Sequence, residues 1–119
     1  MKELGPELNE RKEPIEQIIR DSQVESVAQR VGNNRSLSEL FIRPYLWPSV
    51  VARWKNDQRF RIAVSNLIEY GVATMKSGDY TTCKLTDFGR KVAEVAESKG
   101  MLFAQRKGQK EKFEAEEIS

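Results

Sequence analysis

Residues 57–93, which read DQRFRIAVSNLIEYGVATMKSGDYTTCKLTDFGRKVA, decide how this chain folds. Two short runs rich in β-forming residues, 72–76 and 80–85, flank a turn that contains Gly78, and Thr86 is a good N-cap for a helix after them. Ahead of these runs the apolar residues recur every three or four positions until Gly71, as in an amphipathic helix: Phe60, Ala63, Val64, Leu67 and Ile68. The stretch therefore predicts a helix, a β-hairpin and a second helix, in that order.

Further helices are predicted before this stretch. Pro48 suits the first turn of a helix over about 48–56, and Asp57 is the expected N-cap of the helix that follows. Ser36-Leu37-Ser38-Glu39 matches a capping box that opens a short helix, which Pro44 should end or kink. The apolar run Tyr45-Leu46-Trp47 is expected to be buried. The predicted fold class is mainly α with a small β-hairpin.

A longer helix is predicted over 14–31, since apolar residues form a one-sided stripe along it. A second capping box begins at Ser22, where this helix either kinks or restarts, and Gly32 is the expected C′ residue. Residues 1–13 are expected to form a mobile N-terminal arm, residues 14–103 a single domain with its core in 47–99, and residues 104–119 a disordered charged tail.

Positive charge is concentrated in the middle of the chain. The net charge is only +2, but residues 48–91 carry eight basic and four acidic residues, which gives +4, whereas each flank sums to −1. Clustered basic charge is the usual electrostatic footprint of a nucleic-acid binder.

The composition argues against several classes of site. With one cysteine and no histidine, a zinc finger or zinc ribbon cannot form, and the commonest general base is missing. The sequence contains no Gly-rich phosphate loop and no nucleophile elbow, so neither an enzyme nor a cofactor is expected. No apolar run is long enough to span a membrane, and the first residues do not resemble a signal peptide, so a cytoplasmic, nucleoid-associated location is expected.

Two motifs in the deciding stretch resemble parts of a winged helix-turn-helix domain. Asn66-Leu67-Ile68-Glu69-Tyr70-Gly71-Val72 resembles the end of a recognition helix, where a leucine precedes a turn glycine and a β residue. Residues 85–93 resemble the pattern Leu-Thr, two residues, Gly, three residues, Ala, which closes the wing in MarR-like and PadR-like regulators. The resemblance covers about 47–99 and points to no specific family. It implies a winged helix-turn-helix with an added N-terminal helix, and binding of double-stranded DNA.

The resemblance also implies which residues would contact DNA. A recognition helix enters the major groove and offers its outward face to base edges, while flanking basic residues hold phosphates. The expected base-edge residues are Gln58, Arg59, Ile62, Ser65 and Asn66, with Arg61 on the flank of the same helix. Arg53 and Lys55 are expected at phosphates beside the groove, and Lys76 and Lys84 would reach the DNA backbone from the hairpin.

Several of these residues have ordinary structural explanations. An arginine or lysine on a helix or an edge strand is commonly just solvated, and a strand lysine also discourages aggregation. Trp47 and Trp54 suit a core or an interface better than base stacking, and Cys83 suits a small apolar filler. Ile62 stands at the centre of an otherwise polar face, so it is either covered, or kept for a thymine methyl or a protein partner.

Three functions remain open at the level of sequence. The first is a transcriptional regulator that binds DNA, expected as a homodimer through the apolar stripes of helices 14–31 and 88–99. The second is a winged-helix component of a replication, partition or mobile-element system, whose charged tails recruit partner proteins. The third is a protein-interaction module that does not bind DNA, which the low net charge and Ile62 favour.

Overall fold

The computed structural model describes residues 20–106, and the predictions for the N-terminal arm, for helix 14–19 and for the tail from 107 onward lie outside these residues. The order of elements is helix, helix, helix, helix, hairpin, helix. Their bounds are α1 over 20–31, α2 Arg35–Ile42, a 3₁₀ turn Pro44–Leu46, α3 Trp47–Trp54, α4 Gln58–Glu69, β1 Ala73–Lys76, β2 Asp79–Leu85, α5 Asp87–Ser98 and a helical turn over 103–106.

The predicted fold class is confirmed: the chain is mainly α with a two-stranded antiparallel hairpin, in a winged-helix-like arrangement. The α4 helix begins where predicted, because the Asp57 side chain accepts a hydrogen bond from the Arg59 N–H and so caps the first turn. It ends at Glu69 with Tyr70 as its C-cap, and Gly71 follows with a φ of +73°, in the left-handed region that favours glycine. The chain then enters β1 directly, so the hairpin follows α4 without a long linker.

The hairpin is irregular. Ala73 pairs with Leu85 and Thr74 with Lys84, but Lys76 pairs with Asp79, so β2 carries extra residues between these pairs. The Thr82 hydroxyl partly replaces the interrupted ladder, since it accepts from the Lys76 N–H at 2.9 Å and donates to the Asp79 carbonyl at 2.6 Å. The irregularity bends β2 and lets its inner side chains reach the core.

The junction between the hairpin and α5 explains the residue types of the Leu-Thr-x-x-Gly pattern. The Thr86 hydroxyl accepts from the Gly89 N–H at 2.9 Å and donates to the Gly71 carbonyl at 2.6 Å, so it caps α5 and ties it to the end of α4. Gly89 is buried against the backbone of Val72, where a Cβ atom would lie 2.7 Å from the Val72 carbonyl carbon. A hydroxyl side chain is therefore favoured at 86 by its hydrogen bonds, and glycine is required at 89 by packing.

Helix α1 packs onto α5 within the same chain. Val24, Ala28 and Val31 are buried, as is the facing side of α5, and a Cβ on Gly32 would lie 3.1 Å from the Ala96 Cβ. Lys99 at the end of α5 lies 3.9 Å from Glu25 of α1. In the described residues, the two apolar stripes on which the homodimer was predicted are thus covered by each other.

Three local predictions were wrong. The N-cap of α2 is Asn34, whose side chain accepts from the backbone N–H groups of Ser36 and Leu37, so the expected capping box at Ser36 does not form. Tyr45 is 77% exposed, because the 3₁₀ turn points it away from the core that buries Trp47. Gly32 does not have a positive φ, and its lack of a side chain serves the close approach to α5 instead.

Other local features were predicted in part. Residues 20–31 form one helix without the kink or restart expected at Ser22, whereas α2 ends just before Pro44 as predicted. Leu102 is fully buried in the core. Residues 103–106 are helical, so the disordered tail predicted from 104 onward is wrong for residues 104–106. Within residues 20–106, none of the helices combines the length and the apolar character needed to cross a membrane.

Candidate nucleic-acid interface

One side of α4 is buried and the opposite side is exposed along its whole length. Phe60, Val64 and Leu67 are buried in the core. The predicted base-edge residues are all exposed, and they are Gln58, Arg59, Ile62, Ser65 and Asn66. Ile62 is 52% exposed at the centre of this side, so no element within residues 20–106 covers it. We call this exposed side the outer face of α4.

The first turn of α4 holds an ion pair. The Arg59 guanidinium donates two hydrogen bonds to Asp57, with Nη2 at 3.1 Å from Oδ2 and Nε at 3.3 Å from Oδ1. These bonds lower the pKa of the Asp57 carboxyl below its ordinary value and raise the pKa of Arg59. The Arg59 side chain is 88% exposed, so the pair lies in solvent and contributes little to stability. Part of the fork that could bind a guanine or a phosphate is thus engaged within the chain.

A basic and aromatic cluster lies beside this turn. The guanidinium carbons of Arg35 and Arg53 lie 5.0 and 5.1 Å from the centre of the Trp54 ring, within the range of cation–π attraction. Arg35 also lies 5.7 Å from the ring of Phe103. Trp54 is half-buried, as its predicted structural role requires, and it holds both arginines near the start of α4.

Arg35 was missed by the sequence analysis. It lies 18 positions before Arg53, in a helix with no nucleic-acid signature. Asn34 brings it close, because its side-chain amide donates to the Ala63 carbonyl of α4 at 3.0 Å. A groove of about 270 Å³ then separates α2 from α3 and α4, and its lining includes Arg35, Glu39, Asp57 and Arg59. No sequence pattern predicts this contact between α2 and α4, because its residues lie 29 positions apart.

The other predicted phosphate contacts are Lys55 of α3 and two lysines of the hairpin, and no residue of α4 lines the groove beside Lys55. Lys55 is exposed at the C-cap of α3 and shares a groove of about 270 Å³ with the tip of the hairpin, Gly78 to Thr81. Tyr80 anchors this tip, since its ring lies 5.7 Å from Phe60 and its carbonyl accepts from the Trp47 indole N–H at 2.8 Å. The side chain of Lys76, near the same tip, is exposed.

The structure does not bring Lys84 together with α4. Lys84 lines a groove of about 400 Å³ with residues of α2, the 3₁₀ turn, α3 and α5, among them Leu40, Pro44 and Arg90, and no residue of α4 lines it. Its side chain shares the exposed face of the hairpin with Thr74, its pairing partner. Lys84 thus lies on the side of β2 turned toward Arg90.

The single cysteine behaves as the sequence predicts for a filler. Cys83 is buried in β2, and burial raises the pKa of its thiol to about 11, so it is protonated at neutral pH. In the part of the chain that the structure describes, no three side chains of His, Cys, Asp or Glu lie close enough together to hold a metal ion.

Comparison of the chain with family models, with curated proteins and with solved structures returns no match. The function of this protein is therefore inferred from the geometry of its own residues.

Proposed function

We propose that this protein binds double-stranded DNA, with the outer face of α4 in the major groove, and that it acts as a transcriptional regulator. The observation that carries the proposal is an exposed three-turn helix face whose side chains are mostly base-reading types, next to a cluster of basic residues. The major groove of B-DNA is about 12 Å wide and accepts one α-helix. The exposed length of α4 suits such an insertion.

Electrostatics supports the same orientation. Residues 53–69 carry four basic side chains and two acidic ones, so this segment sums to +2 although it is only a small part of the chain. The Arg35 and Arg53 guanidinium groups beside Trp54 add to the positive charge around the first turn. The N-terminal end of α4 also carries the positive end of the helix dipole, which favours a phosphate there.

The test is the affinity of the full chain for random-sequence duplex DNA at several salt concentrations. We expect affinity to fall steeply with salt, because bound phosphates release counterions. Arg61→Ala removes a cation from the flank of α4 and should reduce the salt slope by about one ion. Lys91→Ala, an exposed cation on α5, is the charge-matched control and should leave the slope unchanged. Equal effects of the two variants would refute the placement of DNA on α4.

A second substitution tests the ion pair. Asp57→Asn keeps a good N-cap, since asparagine caps as well as aspartate, but it removes the carboxylate that engages Arg59. We expect DNA affinity to rise, because Arg59 is released and one negative charge leaves the interface. An unchanged or lower affinity with an unchanged fold would show that the first turn of α4 does not face DNA.

A protein partner is the second candidate for the same face. Ile62 is 52% exposed at its centre, and the Asp57–Arg59 pair lowers the free positive charge. A protein-interaction module that does not bind DNA would use such a surface. DNA binding that is absent at low salt, or no stronger than that of an unrelated protein of equal charge, would favour this candidate over the regulator.

The homodimer expected of a regulator would need apolar surface beyond Val24, Ala28 and Val31, which are buried within the chain. Sedimentation of the full chain with and without duplex DNA tests the oligomeric state. A nucleoid-associated location follows only if the protein binds DNA.

A further inference from the structure

The outer face of α4 has an ordered chemical pattern along the helix axis. Ile62 lies at its centre, and the exposed amide side chains of Gln58 and Asn66 lie four residues before and after it. At a rise of 1.5 Å per residue, each step of this column is about 6 Å long. The column of amide, branched alkyl group and amide therefore extends over about 12 Å, which matches a few base pairs of the groove.

Each member of the column has a natural partner among base edges. Asparagine and glutamine amides form paired hydrogen bonds with N6 and N7 of adenine, whereas an alkyl group contacts the C5 methyl group of thymine. The side chain of Ile62 has no polar atom, so it cannot form a hydrogen bond with the donors and acceptors of a G·C pair. The pattern thus favours A·T pairs at all three levels.

The arginines, which would favour guanine, are displaced from this column. The Arg59 guanidinium already donates to both carboxylate oxygens of Asp57. Arg61 lies about 100° around the helix from Ile62, on the flank where phosphates lie. The centre of the face is left without a guanidinium to bind guanine O6 and N7.

We propose that Ile62 contacts a thymine methyl group and that Gln58 and Asn66 bind adenines on either side, so that the chain selects A·T-rich duplex DNA. This inference rests on the proposed DNA binding, and it goes further by naming the bases and the residue that selects them. The thymine contact distinguishes it from a protein-docking role for Ile62, because only a DNA contact depends on a methyl group of the nucleic acid.

The experiment begins with selection of binding sites by the full chain from a random duplex pool. The best site is then remade with each thymine replaced in turn by deoxyuridine, which removes the C5 methyl group and leaves the pairing edge intact. We expect an A·T-rich site and an affinity loss of about fourfold at one or two positions, from about 0.8 kcal/mol per buried methyl-sized group at 1.36 kcal/mol per tenfold.

The variants make the assignment specific. Ile62→Ala should bind the thymine and the deoxyuridine duplexes equally well, and because Ile62 is exposed the variant should fold as the native chain does. Ile68→Ala is the matched control, since Ile68 is also partly exposed on α4 but lies about 120° around the helix from Ile62. It should keep the full response to deoxyuridine.

The outcomes separate the two proposals. A G·C-rich site, or tight binding that ignores the methyl group, would overturn the base assignment and leave DNA binding intact. Equal loss of the deoxyuridine response in both variants would also overturn the role of Ile62. Absence of binding to any duplex in the selection would remove the proposed function itself, and the base assignment with it.

Discussion

Gly89→Ala should destabilise this protein strongly, although the same change within a helix normally stabilises it. Alanine favours a helix over glycine by about 0.5–1 kcal/mol. Gly89 lies in the first turn of α5, however, and it is buried against the backbone of Val72 at the end of the α4–hairpin connection. A new methyl group there would overlap the Val72 carbonyl oxygen, its nearest neighbour, and would lie 2.7 Å from the carbonyl carbon and 3.0 Å from the Cα.

The magnitude follows from the separation that carbon atoms require. Optimal carbon–carbon contacts are about 3.5–4.0 Å, so α5 would have to move away by about 1 Å. Overpacking of this kind costs about 1–3 kcal/mol, and backbone cannot rotate aside as a side chain can. The same movement strains the 3.0 Å hydrogen bond from the Thr86 N–H to the Val72 carbonyl, which adds about 1 kcal/mol. After subtracting the helix gain, we expect a net loss of about 1–3.5 kcal/mol.

The assay is denaturant unfolding of the full chain, followed by circular dichroism and by tryptophan fluorescence. A loss of this size should also lower the melting temperature by roughly 4–28 °C, at about 4–8 °C per kcal/mol for a domain of this size. Glu94→Ala, at an exposed position of the same helix, is the control and should change stability by less than about 0.5 kcal/mol. A Gly89→Ala variant as stable as the native chain, or more stable, would refute the close packing of α5 on Val72.

Three further predictions concern the same fold. Thr86→Ala should lower the free energy of unfolding, measured with denaturant, by about 1–2 kcal/mol, because it removes the cap of α5 and the hydrogen bond to the Gly71 carbonyl. Thr86→Ser keeps the hydroxyl and should recover most of that loss. Equal losses for the two variants would contradict the role of the hydroxyl. Trp47→Phe should lower the free energy of unfolding by about 1 kcal/mol or more, because it removes the 2.8 Å hydrogen bond from the indole N–H to the Tyr80 carbonyl. Trp54→Phe is the control, and an equal loss in the two variants would contradict the anchoring of the hairpin tip by Trp47. The Cys83 thiol should resist a thiol reagent at pH 8 until the chain unfolds, since burial raises its pKa from 9.0 to about 11. Between pH 9.0 and about 11 the folded state retains the thiol proton, which the unfolded state loses. The free energy of unfolding should therefore fall as pH rises through this range, and the fall should be smaller in Cys83→Ala.

Local chemistry made the central part of the fold predictable. Asp57, Gly71 and Thr86 act on neighbours within a few residues, so their roles as cap, helix end and second cap can be recognised from spacing alone. The position of Ile62 opposite the apolar side of α4 was also predictable from periodicity, but its exposure was left open by the sequence and depends on the packing of the neighbouring elements.

The errors arose where tertiary contacts decide between local alternatives. Ser36 and Asn34 are both acceptable N-caps, and the bond from the Asn34 amide to Ala63 of α4 selects Asn34. Tyr45 looks apolar in a run with Leu46 and Trp47, but a 3₁₀ turn can direct only some of its side chains inward. The pairing of α1 with α5 could not be predicted either, because both stripes would serve a dimer as well as a monomer.

The candidate site was predictable only in part. The outer face of α4 follows from periodicity, but the contribution of Arg35 depends on the packing of α2 against α4, across more than 20 residues of sequence. The separation of Lys84 from α4 also depends on packing, since the bend of β2 and the corner formed by α2 and the 3₁₀ turn determine which groove it lines.

The most direct measurement is an amide chemical-shift titration of the full chain, labelled with nitrogen-15, against its selected duplex. If α4 lies in the major groove, the largest shifts will fall on the exposed residues of 58–66, with smaller ones at Arg35, Arg53 and Lys55. Amides on the exposed side of α5 should hardly move. Shifts confined to the groove between Lys84 and Arg90, or none at saturating duplex, would contradict the proposal that this protein binds DNA through α4.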